Sequence, residues 1–359
     1  MHHFWAIAIL CIVIAHITLP PKGVSPEVAK FWSILASALI ACSSSIFAFI
    51  SGYLGYIIEY PKFYESVPRS KWISGYYIKK IKNVYLPMIV VSCLVVILSK
   101  LLLPVPAKLG FSLHFLLEGY HFSLDYLFPV QLLLGHLQAQ FWFIPFICFM
   151  FLLTPLIFRL DRRTLIYISI FLVILPFILP RQGNMYYKDG IECFIRIVCY
   201  HGPFYIFGMV FAQNEEFFIG FIKDNIVSLV ALYLTFAIFI IYAQYHPKAE
   251  NHADFIYYLV YCQKVVETLV LYHICCLIKN KILILDTIAR YSFCVYFLHV
   301  FVGMNILIIF NNLVWNGSSL AGNLVLSWGC TILSVFVCIL IGWLCKKTFG
   351  KYSRMILGC

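Results

Sequence analysis

Ile226-Val227-Ser228-Leu229-Val230-Ala231-Leu232-Tyr233-Leu234-Thr235-Phe236-Ala237-Ile238-Phe239-Ile240-Ile241-Tyr242-Ala243 carries no charged residue. Lys223 stands just before it and Lys248 just after it. A helix rises about 1.5 Å per residue, so roughly 20 apolar residues cross a hydrocarbon layer about 30 Å thick. This stretch is such a segment, and runs of the same kind recur towards both ends of the chain.

Composition agrees with that reading. Of 359 residues, 63% are apolar and only 11% are charged. A water-soluble core cannot absorb that much apolar surface, and soluble domains carry about 25% charged residues. The sequence therefore predicts an all-α, polytopic membrane helix bundle. Spans are expected near 4–19, 33–58, 84–103, 141–158, 164–180, 193–212, 226–245, 255–278, 288–310 and 324–345. That makes about ten, within one domain over residues 1–359. The first run lacks a positive start and a small-residue cleavage site, so it reads as a retained span rather than a signal peptide. Residues 104–140 are expected as an outer loop, in which 122–138, with Asp125, Pro129 and His136, is interfacial or re-entrant.

Lys and Arg set the orientation. Placing loop 59–83 in the cytoplasm assigns 17 of the 26 basic residues to cytoplasmic loops and 7 to the opposite side, with Arg196 and Lys264 inside spans. Both termini are then cytoplasmic. The net charge of +11 is a topology signal in short loops, and nucleic-acid binding is not expected. The 14 cysteines include no Cys-x-x-Cys pair. Most, including Cys294 and Cys338, lie in apolar runs, where they act as small apolar residues, and no metal site is expected.

Within 69–83, Trp72, Ile73, Tyr76, Tyr77 and Ile81 alternate with Lys71, Lys79, Lys80 and Lys82. The pattern predicts a basic, aromatic-anchored amphipathic helix along the inner surface. It suits lipid headgroups first, with the phosphates of a nucleotide-like cosubstrate as the sharper alternative.

Four local patterns occur in order. The first span ends Val13-Ile14-Ala15-His16. The second ends Phe47-Ala48-Phe49-Ile50-Ser51-Gly52-Tyr53-Leu54. The fourth opens Phe141-Trp142-Phe143-Ile144-Pro145 and continues to Leu153-Thr154-Pro155-Leu156. The ninth reads Arg290-Tyr291-Ser292-Phe293-Cys294-Val295-Tyr296-Phe297-Leu298-His299. Together they resemble the acyltransferase-3 family of membrane O-acyltransferases, which includes surface-polysaccharide O-acetyltransferases. The resemblance covers nearly the whole chain. It implies transfer of an acyl group, often acetyl, from cytoplasmic acyl-coenzyme A to a hydroxyl of a glycan or lipid-linked sugar, with no tightly bound cofactor. It implies catalysis by His16 and donor binding by the basic stretch, here Arg69, Lys79, Lys80 and Lys82. It also implies a setting such as the bacterial inner membrane. The chain departs from the family's pattern at Trp5, where Arg is usual eleven positions before the His, at Ala48, and at Gln140.

Polar groups inside spans tend to mark function. Ser292, Tyr296 and His299 fall on one helical face, giving a polar stripe turned into the bundle. That makes His299 a second catalytic candidate, with a structural hydrogen-bond network as the alternative. Glu192 and Arg196 form an i, i+4 pair, read either as an internal salt bridge or, with Trp142 and Tyr296, as part of acceptor binding. Lys264 and Glu267, three residues apart, have the same two readings. Ser43, Ser44 and Ser45 read as small residues that permit close helix packing, and a Ser nucleophile among them would need a placed base. Two other functions stay open at this point: a multi-span transporter or flippase using His16, Arg196, Lys264, Glu267 and His299 as a path, and a catalytically inactive family member.

Overall fold

The computed structural model describes residues 2–17, 43–102, 140–179, 191–246, 252–313 and 320–359, together with Glu27, Lys30, Ile34, Leu35, Ala38, Leu39, Leu132, Leu133 and Gly135. Among them there is no β-strand. The α-helices are α1 (His2–Ile17), α2 (Ser43–Leu54), α3 (Tyr60–Glu65), α4 (Arg69–Lys80), α5 (Leu86–Leu102), α6 (Phe143–Ile157) and α7 (Arg162–Ile178). Beyond these come α8 (Ile191–Gln213), α9 (Glu215–Tyr245), α10 (His252–Leu277), α11 (Leu283–Arg290), α12 (Ser292–Leu313), α13 (Leu320–Phe349) and α14 (Ser353–Leu357). The predicted interfacial segment 122–138 lies outside the described residues except for Leu132, Leu133 and Gly135.

Among the described residues, five helices are long and apolar enough to cross a membrane, and α11 with α12, bent by 80° at Tyr291, makes a sixth if the pair is one span. The helices α1 and α6 are apolar but shorter. In α9, Val227 is 80% exposed and Ile238 is 65% exposed. A water-facing helix would place polar side chains there; lipid accepts these apolar ones and demands that the backbone bond itself, as a helix does. The basic segment continues helically into the third apolar run, since a π-helical step over Ile81–Tyr85 joins α4 to α5. The expected end of a separate interfacial helix is therefore not marked by a break in the helix.

The chain divides into two compact units, Met1–Ala8, Ala38–Lys80 and Phe146–Ile282 in the first, and Ile9–Ser37, Ile81–Pro145 and Leu283–Cys359 in the second. In the first, α8 packs on α2 and α7, and α9 packs on α10. The α2–α8 contact is made backbone to backbone. A Cβ on Gly52 would stand 1.9 Å from the Tyr205 carbonyl oxygen, and one on Gly208 would stand 2.1 Å from that of Phe49. Small residues drive helix association in lipid because the apolar effect gives no preference for helix over tail. Around this contact Phe49, Phe204, Tyr205 and Phe211 are fully buried or nearly so. Tyr53 and Tyr272 both donate to Glu215 Oε1, at 2.6 and 2.7 Å, joining α2 and α10 to the start of α9. The N-terminus of α7 is capped by Asp161, which accepts from the backbone N–H of Arg163 and Thr164.

In the second unit α12 packs on α13, and α14 packs on α5. Gly135 adopts φ +71°, and a Cβ there would stand 2.4 Å from the Phe141 carbonyl oxygen. Both the conformation and the space require glycine, so the chain turns tightly before the Phe141–Trp142 motif.

Candidate functional site: a histidine pair

The second unit brings His16 and His299 together. The two imidazoles meet edge to face, with centroids 5.1 Å apart and planes at 71°. Helix geometry orients each ring. His16 Nδ1 lies 2.8 Å from the Ile12 carbonyl oxygen. His299 Nδ1 lies 2.9 Å from that of Tyr296 and 3.1 Å from that of Val295. A carbonyl only accepts, so in both residues Nδ1 carries the hydrogen and donates it. Each Nε2 then holds the lone pair, the tautomer a base needs. His299 is fully buried, and its Nε2 has no hydrogen-bond partner among the described residues. An unmet acceptor in so apolar a place is costly, and the group that meets it most naturally is a substrate hydroxyl or a water.

The expected stripe is formed. Ser292, Tyr296 and His299 are all buried. The Tyr296 hydroxyl donates to the Gln140 main-chain carbonyl, the Gln140 amide nitrogen lies 3.5 Å from the Phe297 carbonyl oxygen, and the Phe143 ring stands 6.2 Å from that of Tyr296. Trp142 is half-buried, its ring 5.8 Å from Phe143. Tyr296 thus ties the motif before α6 to the helix turn that carries His299.

Most of the other candidates belong to the first unit. In the first unit Arg196 pairs with Glu192 at 2.8 Å. Lys79 pairs with the buried carboxylate of Glu59 at 3.1 Å. The Lys80 ammonium lies 4.1 Å from the Phe151 ring centroid and 5.2 Å from that of Tyr76. The Arg69 guanidinium lies 5.3 Å from Phe63 and 5.2 Å from Tyr64. Lys82 is exposed and belongs to the second unit. Buried Lys264 lies 5.0 Å from the Tyr200 ring, and Ser45 Oγ lies 3.3 Å from His201 Nδ1 with both residues fully buried. At the position where Arg is usual, the Trp5 ring packs edge-on against Phe47 at 5.9 Å.

Three participants were not picked out from the sequence: Glu59, the role of Gln140 as an anchor for Tyr296, and the Ser45–His201 pairing. Glu59 had a signal, as an acid at the foot of a span with Lys62 three residues on. The other two join residues 156 apart, and no local pattern shows that.

No curated protein and no solved structure matches the chain. The family model described as an acyltransferase domain matches residues 5–343, and the chain therefore belongs to the acyltransferase-3 family of membrane acyltransferases.

Proposed function

We propose that this protein transfers an acyl group, acetyl in the first instance, from cytoplasmic acyl-coenzyme A to a hydroxyl of a glycan or lipid-linked sugar. On this reading it lies in a bacterial inner membrane with both termini in the cytoplasm and carries no resident cofactor. The observation that supports it is the His16–His299 pair, two imidazoles held by backbone carbonyls with Nε2 as the basic atom.

The acceptor hydroxyl donates its proton to His16 Nε2 as its oxygen attacks the thioester carbonyl. The C–S bond breaks, the acyl ester forms, and the proton passes from His16 to the leaving thiolate. His299 Nε2 orients the attacking hydroxyl. Arg69, Lys79, Lys80 and Lys82 supply positive charge for the donor's phosphates, and Trp142, Glu192, Arg196 and Tyr296 are assigned to the acceptor side. A positioned base contributes about 100- to 10,000-fold.

The test is turnover of acyl-coenzyme A by the purified protein in lipid vesicles, with and without sugar acceptors, for the unaltered protein and His16→Ala. Transfer by the former and its loss in the latter support the reading. No transfer with any acyl donor and acceptor overturns it.

A further inference from the structure

Four cysteines from separate parts of the sequence converge in the second unit. Cys294 lies on α12, Cys338 and Cys345 on α13, and Cys359 just beyond α14. Gly342 makes the room. A Cβ there would stand 2.9 Å from Cys294 Sγ, and Cys359 Sγ lies 3.4 Å from the Gly342 carbonyl oxygen. Both thiols therefore rest against one residue. They lie within hydrogen-bonding reach of each other, and Cys359 also reaches Cys345. The Cys294 thiol lies 3.3 Å from the Cys338 carbonyl oxygen.

The segment that delivers Cys359 is built for that position. After α14 the chain turns at Gly358, with φ +73°. A Cβ there would stand 2.8 Å from Phe293 Cβ and 3.2 Å from Phe297 Cε2, so only glycine fits the conformation and the space. Leu357 and Ser353 are buried, and the Ser353 hydroxyl donates to the Cys359 carbonyl at 2.6 Å.

The thiols differ in kind. Cys294 and Cys338 are fully enclosed, while Cys359 is half-exposed. The hydrogen bond from Cys294 holds the Cys359 thiol below its ordinary range, with Ser353 and Cys345 adding to it against the opposing effect of burial. A half-exposed thiol whose ionisation is favoured, beside a second, protected thiol, is the arrangement found in peroxide-sensing cysteines.

We propose that Cys359 is a hydroperoxide-reactive thiol that Cys294 resolves into a disulfide. The Cys359 thiolate attacks one oxygen of hydrogen peroxide. The O–O bond breaks, Cys359 becomes a sulfenic acid, and the hydroxide released takes up a proton to leave as water. The Cys294 sulfur then attacks the sulfenic sulfur. The S–O bond breaks, the hydroxyl leaves as water with the Cys294 proton, and the disulfide forms. Two thiols are oxidised by two electrons, and the peroxide is reduced by two. The bond fastens residues 350–359 to α12, two residues before Tyr296 and five before His299, so it reports oxidation to the helix that carries His299.

The test uses the full-length protein in detergent, treated with hydrogen peroxide, digested without reduction and mapped by mass spectrometry. The expected product is a peptide pair joined through Cys294 and Cys359 that dithiothreitol releases. Cys359→Ser and Cys294→Ser should each abolish it, and Cys276→Ser, an exposed thiol outside the cluster, should leave it intact. Maleimide labelling of Cys359 in the untreated protein should also be nearly flat across the neutral-to-alkaline range, whereas that of an ordinary thiol climbs. Pairing of Cys359 with Cys345 instead, oxidation of Cys359 to sulfinic acid with no disulfide, or preferential oxidation of Cys276 each overturns the proposal. The mapping of the unaltered protein decides the matter even if a serine variant fails to fold.

Discussion

The His16 ring stands edge-on to the His299 ring at 5.1 Å, and each donates its Nδ1 hydrogen to a carbonyl of its own helix. If both imidazoles serve one acceptor hydroxyl, as proposed, they act as a unit, and the costs of removing members of a unit do not add. His16→Ala is expected to lower turnover by about a hundredfold or more, with His299→Ala severe but smaller. The double variant should be about as slow as His16→Ala alone. Losses that multiply in the double variant would show the two histidines acting independently.

The lysines proposed to hold the donor already have partners within the protein. Lys79 pairs with Glu59, and Lys80 lies against Phe151. If both serve the phosphates they must be drawn from those partners, which weakens binding. Glu59→Gln releases Lys79 and should lower the KM for acyl-coenzyme A, whereas replacing Lys79, Lys80 and Lys82 with Gln should raise it, by about 1.5–3 kcal/mol per lost charge-assisted contact. The KM for the acceptor should hardly move. A donor KM indifferent to all four changes assigns these lysines to lipid contact.

Gly52 and Gly208 let α2 and α8 touch along their backbones. An added methyl meets backbone oxygen within about 2 Å, with no flexible side chain to yield. Gly52→Ala or Gly208→Ala should cost about 1–3 kcal/mol or more by overpacking, read as loss of the monodisperse peak in detergent chromatography. Gly75 and Gly220 have nothing within 4 Å of an added Cβ. Alanine at either should raise the unfolding temperature slightly through helix propensity. A stable Gly52→Ala protein would contradict the close α2–α8 contact.

Asp161 caps α7, and hydrogen bonds from Thr164, first through its side chain and then through its backbone, hold the carboxyl below its usual range. A carboxylate whose pKa is depressed by folding stabilises the protein fully above its unfolded-state value, and that contribution fades as pH falls through the folded-state value. Asp161→Ala should therefore lower the unfolding temperature at neutral pH, and the gap to the unaltered protein should narrow in acid. A gap independent of pH would mean that the cap acts without its charge.

The sequence by itself determined the class of protein. Lipid demands long apolar helices and tolerates few buried charges, so runs such as 226–245 mark spans without reference to any partner. The spacing of Ser292, Tyr296 and His299 likewise showed an inward polar face, because helical period is a local property. The tertiary structure alone decided which polar groups meet. His16 and His299 are 283 residues apart in the chain, and the Tyr296–Gln140 bond and the four-cysteine cluster also join residues that no local pattern pairs. Such pairings depend on how helices cross, and in this chain the α2–α8 crossing is set by Gly52 and Gly208, where a missing methyl lets two backbones touch. A missing side chain leaves no periodic signal in a sequence, so these meetings became visible only once the helices were packed.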